Sequence, residues 1–144
     1  MKRKSTASDF VLDGSITLAW FFEDEDNDYA DSVENALVKA NALVPALWHL
    51  EVANALLMGE RRKRTTEAKA TQFITLLRSL PIAVDDATMT QAWGDTLHLA
   101  REQSLSAYDA AYLELALRRG LPIATLDDKV RVAAASVGVD LYQP

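Results

Sequence analysis

Phe10-Val11-Leu12-Asp13-Gly14-Ser15-Ile16-Thr17-Leu18-Ala19-Trp20-Phe21 is where the chain declares its fold. Three apolar residues run into an aspartate, and a glycine and a serine then open an apolar segment of helical length. A short apolar run closed by a turn residue reads as a buried strand, and Ser15 reads as the cap of the helix that follows. Strand, tight turn and helix in direct succession begin an α/β chain.

The same alternation continues. A second helix is expected over Tyr29 to Ala40, capped by Asn27 or Asp28, and Ala42-Leu43-Val44 before Pro45 reads as another buried strand. From Ala46 to about Arg61 apolar residues occupy nearly every face, which predicts a helix packed on most sides. Thr65 or Thr66 caps the next helix, which runs to Leu80. Pro81 to Val84 is a short strand, and Ala87 to Arg101 a helix that Gly94 interrupts. Ser106 to Arg119 follows as a helix stopped by Gly120, then Leu121 to Thr125 as a strand ending at Asp127. A helix over about Lys129 to Ser136 and a last strand, Val139 to Tyr142, complete the pattern. Apolar strands joined by helical crossovers too long for hairpins imply a parallel sheet covered on both faces: an α/β class fold in three layers.

The composition bounds what such a domain does. With 144 residues, 49% of them hydrophobic, residues 1–144 are expected to form a single domain with a sizeable core. There is no cysteine, which removes thiol nucleophiles and cysteine-ligated zinc and is compatible with a reducing cytoplasm. His49-Leu50-Glu51 matches the H-x-E element of zinc deaminases, and fails on the same count. No apolar run approaches the roughly 18 residues of a membrane span, and the basic start lacks a signal peptide's apolar stretch, so a cytoplasmic protein without a membrane partner is expected. The net charge of −6 conceals a pattern: acids crowd into Glu23 to Asp28, and bases into Lys2 to Lys4 and Arg61-Arg62-Lys63-Arg64. Either kind of run reads as solvated surface, and the basic run gains weight only if a phosphate-handling site lies near it. No P-loop, dinucleotide fingerprint or nucleophile elbow is present, and His49 and His98 read as packed or surface helix residues.

The acids carry more. In open parallel sheets, ligands gather outside the carboxyl ends of the strands, near a reversal of strand order. Asp13 follows the first strand and Asp127 the fourth, so both carboxylates emerge on one sheet edge. Asp109 lies in the first turn of the helix that leads to the fourth strand, and such a helix begins on that same edge. Ser106 three residues earlier also makes Asp109 half of a capping box, and Asp127-Asp128 also reads as a cap. Glu51 has Leu47, Trp48, Asn54, Ala55 and Met58 around it at helical spacing, and a carboxylate in an apolar row needs a cation, an arginine or a metal as partner. Several carboxylates held close together repel, and the usual remedy is a hard divalent cation, magnesium or manganese. Such a site implies metal-assisted hydrolysis of a phosphodiester. Ser15 and Thr125 then serve as hydroxyls supporting Asp13 and Asp127.

V-L-D-G-S-I-T-L-A-W-F (11–21), P-A-L-W-H-L-E-V-A-N-A-L (45–56), L-S-A-Y-D-A-A-Y-L-E-L-A (105–116) and L-P-I-A-T-L-D-D-K-V (121–130), in that order, resemble the four signature segments of PIN-domain proteins. The chain is most similar to the VapC-type ribonuclease toxins of toxin-antitoxin pairs, over residues 10–142. The resemblance implies an α/β/α fold, endoribonuclease activity dependent on Mg2+ or Mn2+, a homodimer, and inhibition by a cognate antitoxin. It assigns Asp13, Glu51, Asp109 and Asp127 as the metal-binding and catalytic acids, with Asp128 able to share the last role. Asn54 matches the asparagine that accompanies the glutamate, and Thr125 the hydroxyl residue two before the last acid. Arg61, Arg62, Lys63 and Arg64 are candidates for holding the RNA backbone. Gly14 stands where a residue such as alanine is more usual, and the loop 23–28 is more acidic than the family's, which bears on substrate docking. The alternative reading is a PIN-like binding or scaffold domain without turnover.

Overall fold

The computed structural model describes residues 9–22 and 27–144. The basic start and residues 23–26 of the acidic loop lie outside the described residues.

The central strand β1 (Phe10–Leu12) is wholly buried, as a strand covered on both faces must be. It pairs in parallel with β2 (Ala42–Pro45) on one side and β4 (Ile123–Ala124) on the other, and β2 pairs in parallel with the edge strand β3 (Ile82–Asp85). The order β3-β2-β1-β4 places the last strand beyond the first. Between the strands run α1 (Gly14–Phe21), α2 (Asp28–Ala36), α3 (Leu47–Arg61), α4 (Glu67–Ser79), α5 (Thr88–Gln91), α6 (Leu97–Gln103) and α7 (Ala107–Arg119), and α8 (Asp128–Val137) follows β4. The three-layer α/β/α architecture expected from the alternation is the one observed. Among the described residues no helix is long and apolar enough to cross a membrane.

Helix α7 is the spine of the core. Every residue from Ala110 to Leu115 is buried, as is Ala116, and the helix lies against β1 and β2. Glu114 in that row is acceptable because the Arg118 guanidinium, one turn on, donates to it at 2.7 Å. Arg118 also reaches the buried Asp85 at the end of β3, with bonds of 3.0 and 2.9 Å to its two oxygens. The edge strand and the C-terminal end of α7 are joined chiefly through this guanidinium, with Arg119 also reaching Asp85 at 3.5 Å. Phe10 and Tyr142 stack with ring centroids 4.0 Å apart and close the core under the chain's end.

Several expectations are corrected. Helix α3 buries one stripe, Trp48, Val52, Leu56 and Gly59, and leaves Leu50 and Leu57 exposed, so it is not packed on most sides. The i, i+4, i+8, i+11 spacing of the buried residues is that of a single helical face. Helix α2 stops at Ala36 in place of Ala40, its end tightened by a bond from the Leu37 amide to the Glu34 carbonyl. Between α5 and α6 the chain widens into a π-turn, Ala92–Thr96, which contains Gly94. Strand β4 is shorter than Leu121–Thr125: Pro122 has no N–H to give, though its carbonyl accepts from Val11. The expected final strand is reduced to a single bridge between Ile123 and Leu141.

Candidate active site

The strand order reverses between β1 and β4, since β2 and β3 lie to one side of β1 and β4 to the other. A crevice forms beyond the carboxyl ends of the two strands at such a point. Asp13 leaves β1 there, and Asp127 follows β4. Asp13, only 5% exposed, is the N-cap of α1. Its Oδ2 accepts from the Ser15 amide at 3.4 Å, the Ser15 hydroxyl at 2.5 Å and the Thr125 hydroxyl at 2.9 Å. This corrects the reading of Ser15 as the cap: the acid two residues earlier occupies that position. Ser15 in turn accepts from the Leu126 amide at 3.0 Å, and Thr125 from the Asp127 amide at 3.1 Å. Two hydroxyls thus join the turn after β1 to the turn after β4, and Asp13 is oriented from both.

The other acids arrive from three helices. Asp127 caps α8, one oxygen accepting from the amides of Lys129 and Val130 at 2.8 and 3.1 Å, so its cap role is real. Asp109 is half-buried in the first turn of α7, where the Ser106 hydroxyl accepts from its amide at 3.0 Å. Glu51, half-buried on α3, accepts at Oε1 from the Tyr112 hydroxyl at 2.5 Å.

Their electrostatics connect all four. Burial lifts the Asp13 ionisation above the ordinary aspartate range, the Ser15 and Thr125 bonds pull it partly back, and the Asp127 charge adds to the lift. Burial raises Glu51 as well, the Tyr112 bond opposes this, and the charges of Asp13 and Asp109 reinforce it. Asp109 is raised by burial, then by Asp13 and Asp127, against small opposing effects of the Ser106 hydroxyl and Lys129. Asp13, Glu51 and Asp109 are each pushed toward holding a proton, chiefly by burial and further by the neighbouring anions.

Among the described residues no three of these carboxylates close on one point as a finished cage. The fit to a cation lies in the donor set, hard carboxylate oxygens with surplus negative charge, and that set suits magnesium or manganese. Asp13 matches especially well, since its three hydrogen bonds all go to Oδ2 and none goes to Oδ1 among the described residues.

The remaining candidates are placed less centrally. Asn54 is exposed one turn beyond Glu51, and Asp128 is exposed at the start of α8. Arg61 to Arg64 are exposed at the far end of α3, about 15 Å along the helix from Glu51, with the Arg64 guanidinium 4.3 Å over the Phe22 ring. His49 and His98 are surface helix residues, the latter 3.6 Å from Glu102. Two residues escaped the sequence reading, Tyr112 and Lys129. Tyr112 was findable, because it follows Asp109 by three positions and so shares its helix face.

A Cβ placed on Gly14 would lie 3.4 Å from Glu51 Oε1 and 3.6 Å from the Tyr112 hydroxyl, ordinary contact distances. Gly14→Ala is therefore expected to fit and to stabilise the fold by about 0.4–1 kcal/mol, chiefly by restricting the unfolded chain. Urea denaturation checks this: a lower midpoint would mean that the turn needs the missing methyl's space.

A parallel sheet between helical layers, with carboxylates gathered where its strand order reverses, defines an acid-centred α/β domain. The chain belongs to the PIN domain family, whose match spans residues 10–135. No curated protein matches it in sequence. Among solved structures it is similar to PAE2754 from Pyrobaculum aerophilum, with a TM-score of 0.65 and 22% identity over 88% of this chain and 80% of that one. It is also similar to VapC20 of Mycobacterium tuberculosis, described as a sarcin-ricin loop cleaving toxin, with a TM-score of 0.61 and 14% identity over 94% of this chain and 99% of the other. At these identities the likeness is one of fold.

Proposed function

We propose that this protein is a divalent-metal-dependent endoribonuclease, the toxin of a toxin-antitoxin pair. The observation that carries the reading is the placement of Asp13, Glu51, Asp109 and Asp127, delivered by separate elements, around the reversal of strand order. Asp13, Glu51 and Asp109 would hold Mg2+ or Mn2+, with Asp127 contributing the oxygen that its cap leaves over. When bound, the ion supplies positive charge to the scissile phosphate and acidifies water beside it. The chain's own residues do the rest. Ser15 and Thr125 fix the Asp13 carboxylate, α7 presents Asp109, and the exposed Arg61, Arg62, Lys63 and Arg64 offer positive charge to the RNA backbone.

The cognate antitoxin and a homodimer belong to the same reading. Large apolar side chains at the surface support a protein partner, above all Trp93, 93% exposed, and Met89, one helical turn before it.

The test is cleavage of a mixed-sequence RNA by the purified chain with Mg2+ or Mn2+ and with a chelator. Cleavage should require the ion. Activity that survives chelation removes the metal from the reading, and RNA binding without cleavage under any ion favours the scaffold alternative.

A further inference from the structure

We propose that Tyr112 is a positioning residue of this site, setting the Glu51 carboxylate for the cation. This rests on the metal-site reading above. Tyr112 is wholly buried on α7, yet its hydroxyl emerges against Glu51 Oε1 at 2.5 Å. The same hydroxyl lies against the turn after β1, beside Gly14. Three segments far apart in sequence meet at one phenolic oxygen: the β1–α1 turn, α3 and α7.

The chemistry of the two groups explains the arrangement. Glu51 is otherwise a long side chain with several rotamers, half-buried among anions that repel it from Asp13 and Asp109. Without an anchor it would swing toward solvent. A phenol on a packed ring has two torsions, both held by the core, and it offers one donor at a constant place. By occupying Oε1 it leaves Oε2 for another partner and prevents the carboxylate from rotating. Because Tyr112 follows Asp109 by three residues, one rigid helix delivers one acid and holds a second. Hydrogen-bond partners that orient ligating carboxylates typically contribute 10- to 100-fold to metal affinity.

The experiment compares Tyr112→Phe, Glu51→Gln and the double variant with wild type. Mn2+ affinity is measured on the full chain by titration calorimetry and by the resonance signal of free Mn2+, alongside thermal melting. Tyr112→Phe should melt as a folded protein and bind Mn2+ about tenfold more weakly. The double variant should bind no more weakly than Glu51→Gln, because the hydroxyl acts through that carboxylate. In RNA cleavage the loss should fall on kcat with KM little changed. A folded Tyr112→Phe protein with wild-type Mn2+ affinity overturns the proposal, and so do losses that add in the double variant. Failure of Tyr112→Phe to fold also overturns it, since the hydroxyl would then be a structural group of the core. Asp13→Asn serves as the separate control: if it leaves Mn2+ binding untouched, the metal site itself is misassigned.

Discussion

Asp13→Asn is expected to lower metal-dependent RNA cleavage by about a thousandfold, the scale at which preorganised charge stabilisation acts, without harming the fold. The amide has the size of the acid and its oxygen still accepts from Ser15 and Thr125. What disappears is a negative charge crowded by Asp127, Asp109 and Glu51. The metal-free variant should therefore be as stable as wild type or more so, the usual trade between a charged site and stability. The pH dependence has a definite sign. A carboxyl whose folded-state ionisation lies above its unfolded value binds the extra proton in the native state, so stability falls as pH rises through that window. Wild type should gain stability as pH falls toward the ordinary aspartate range, and Asp13→Asn should gain less. Retained cleavage would show that Asp13 is a structural cap and nothing more, and a loss of stability at neutral pH would show that its cap bonds outweigh the charge crowding.

Arg118→Met is expected to cost about 3–5 kcal/mol at neutral pH, the range for breaking a buried ion pair from one side. Asp85 and Glu114 are nearly inaccessible, and Arg118 serves both. Methionine fills the space of the aliphatic stem and leaves two buried carboxylates without that cation. Arg119 approaches Asp85 at 3.5 Å and is half-exposed, so it compensates little. The hydrogen bonds from Arg118 hold the Asp85 ionisation below the ordinary aspartate range. Stability from a lowered carboxyl is present above the unfolded value and is lost as pH falls through the folded one. The difference between Arg118→Met and wild type should thus shrink in acid. Urea unfolding at neutral pH and at about pH 3, below the ordinary aspartate value, measures it, and a neutral-pH loss under about 1 kcal/mol, the scale of a surface pair, would sink the argument. Because the cluster anchors the end of α7 opposite Asp109, a loosened helix should also blunt cleavage.

How much of this was legible before the structure follows from how local each feature is. Strands and helices alternate in hydrophobic pattern, and a parallel sheet forces the chain to leave each strand on one edge, so Asp13 and Asp127 could be set together from spacing alone. The interruption at Gly94 was legible as a break, and its form, a π-turn, was not. Helix α3 was misjudged because apolar residues on every face do not say which face finds a neighbour. Leu50 and Leu57 stay exposed among the described residues.

The amino-acid sequence by itself determined the α/β class and the family resemblance and singled out the four candidate acids, since each depends on residues read in order along the chain. Only the tertiary structure decided the strand order, the bond from Thr125 to Asp13 across 112 positions, the Tyr112 grip on Glu51 across 61, and the Arg118 link to Asp85. The physical reason is that hydrogen-bond partners at such separations are chosen by how whole elements pack. No periodicity or local spacing records that choice.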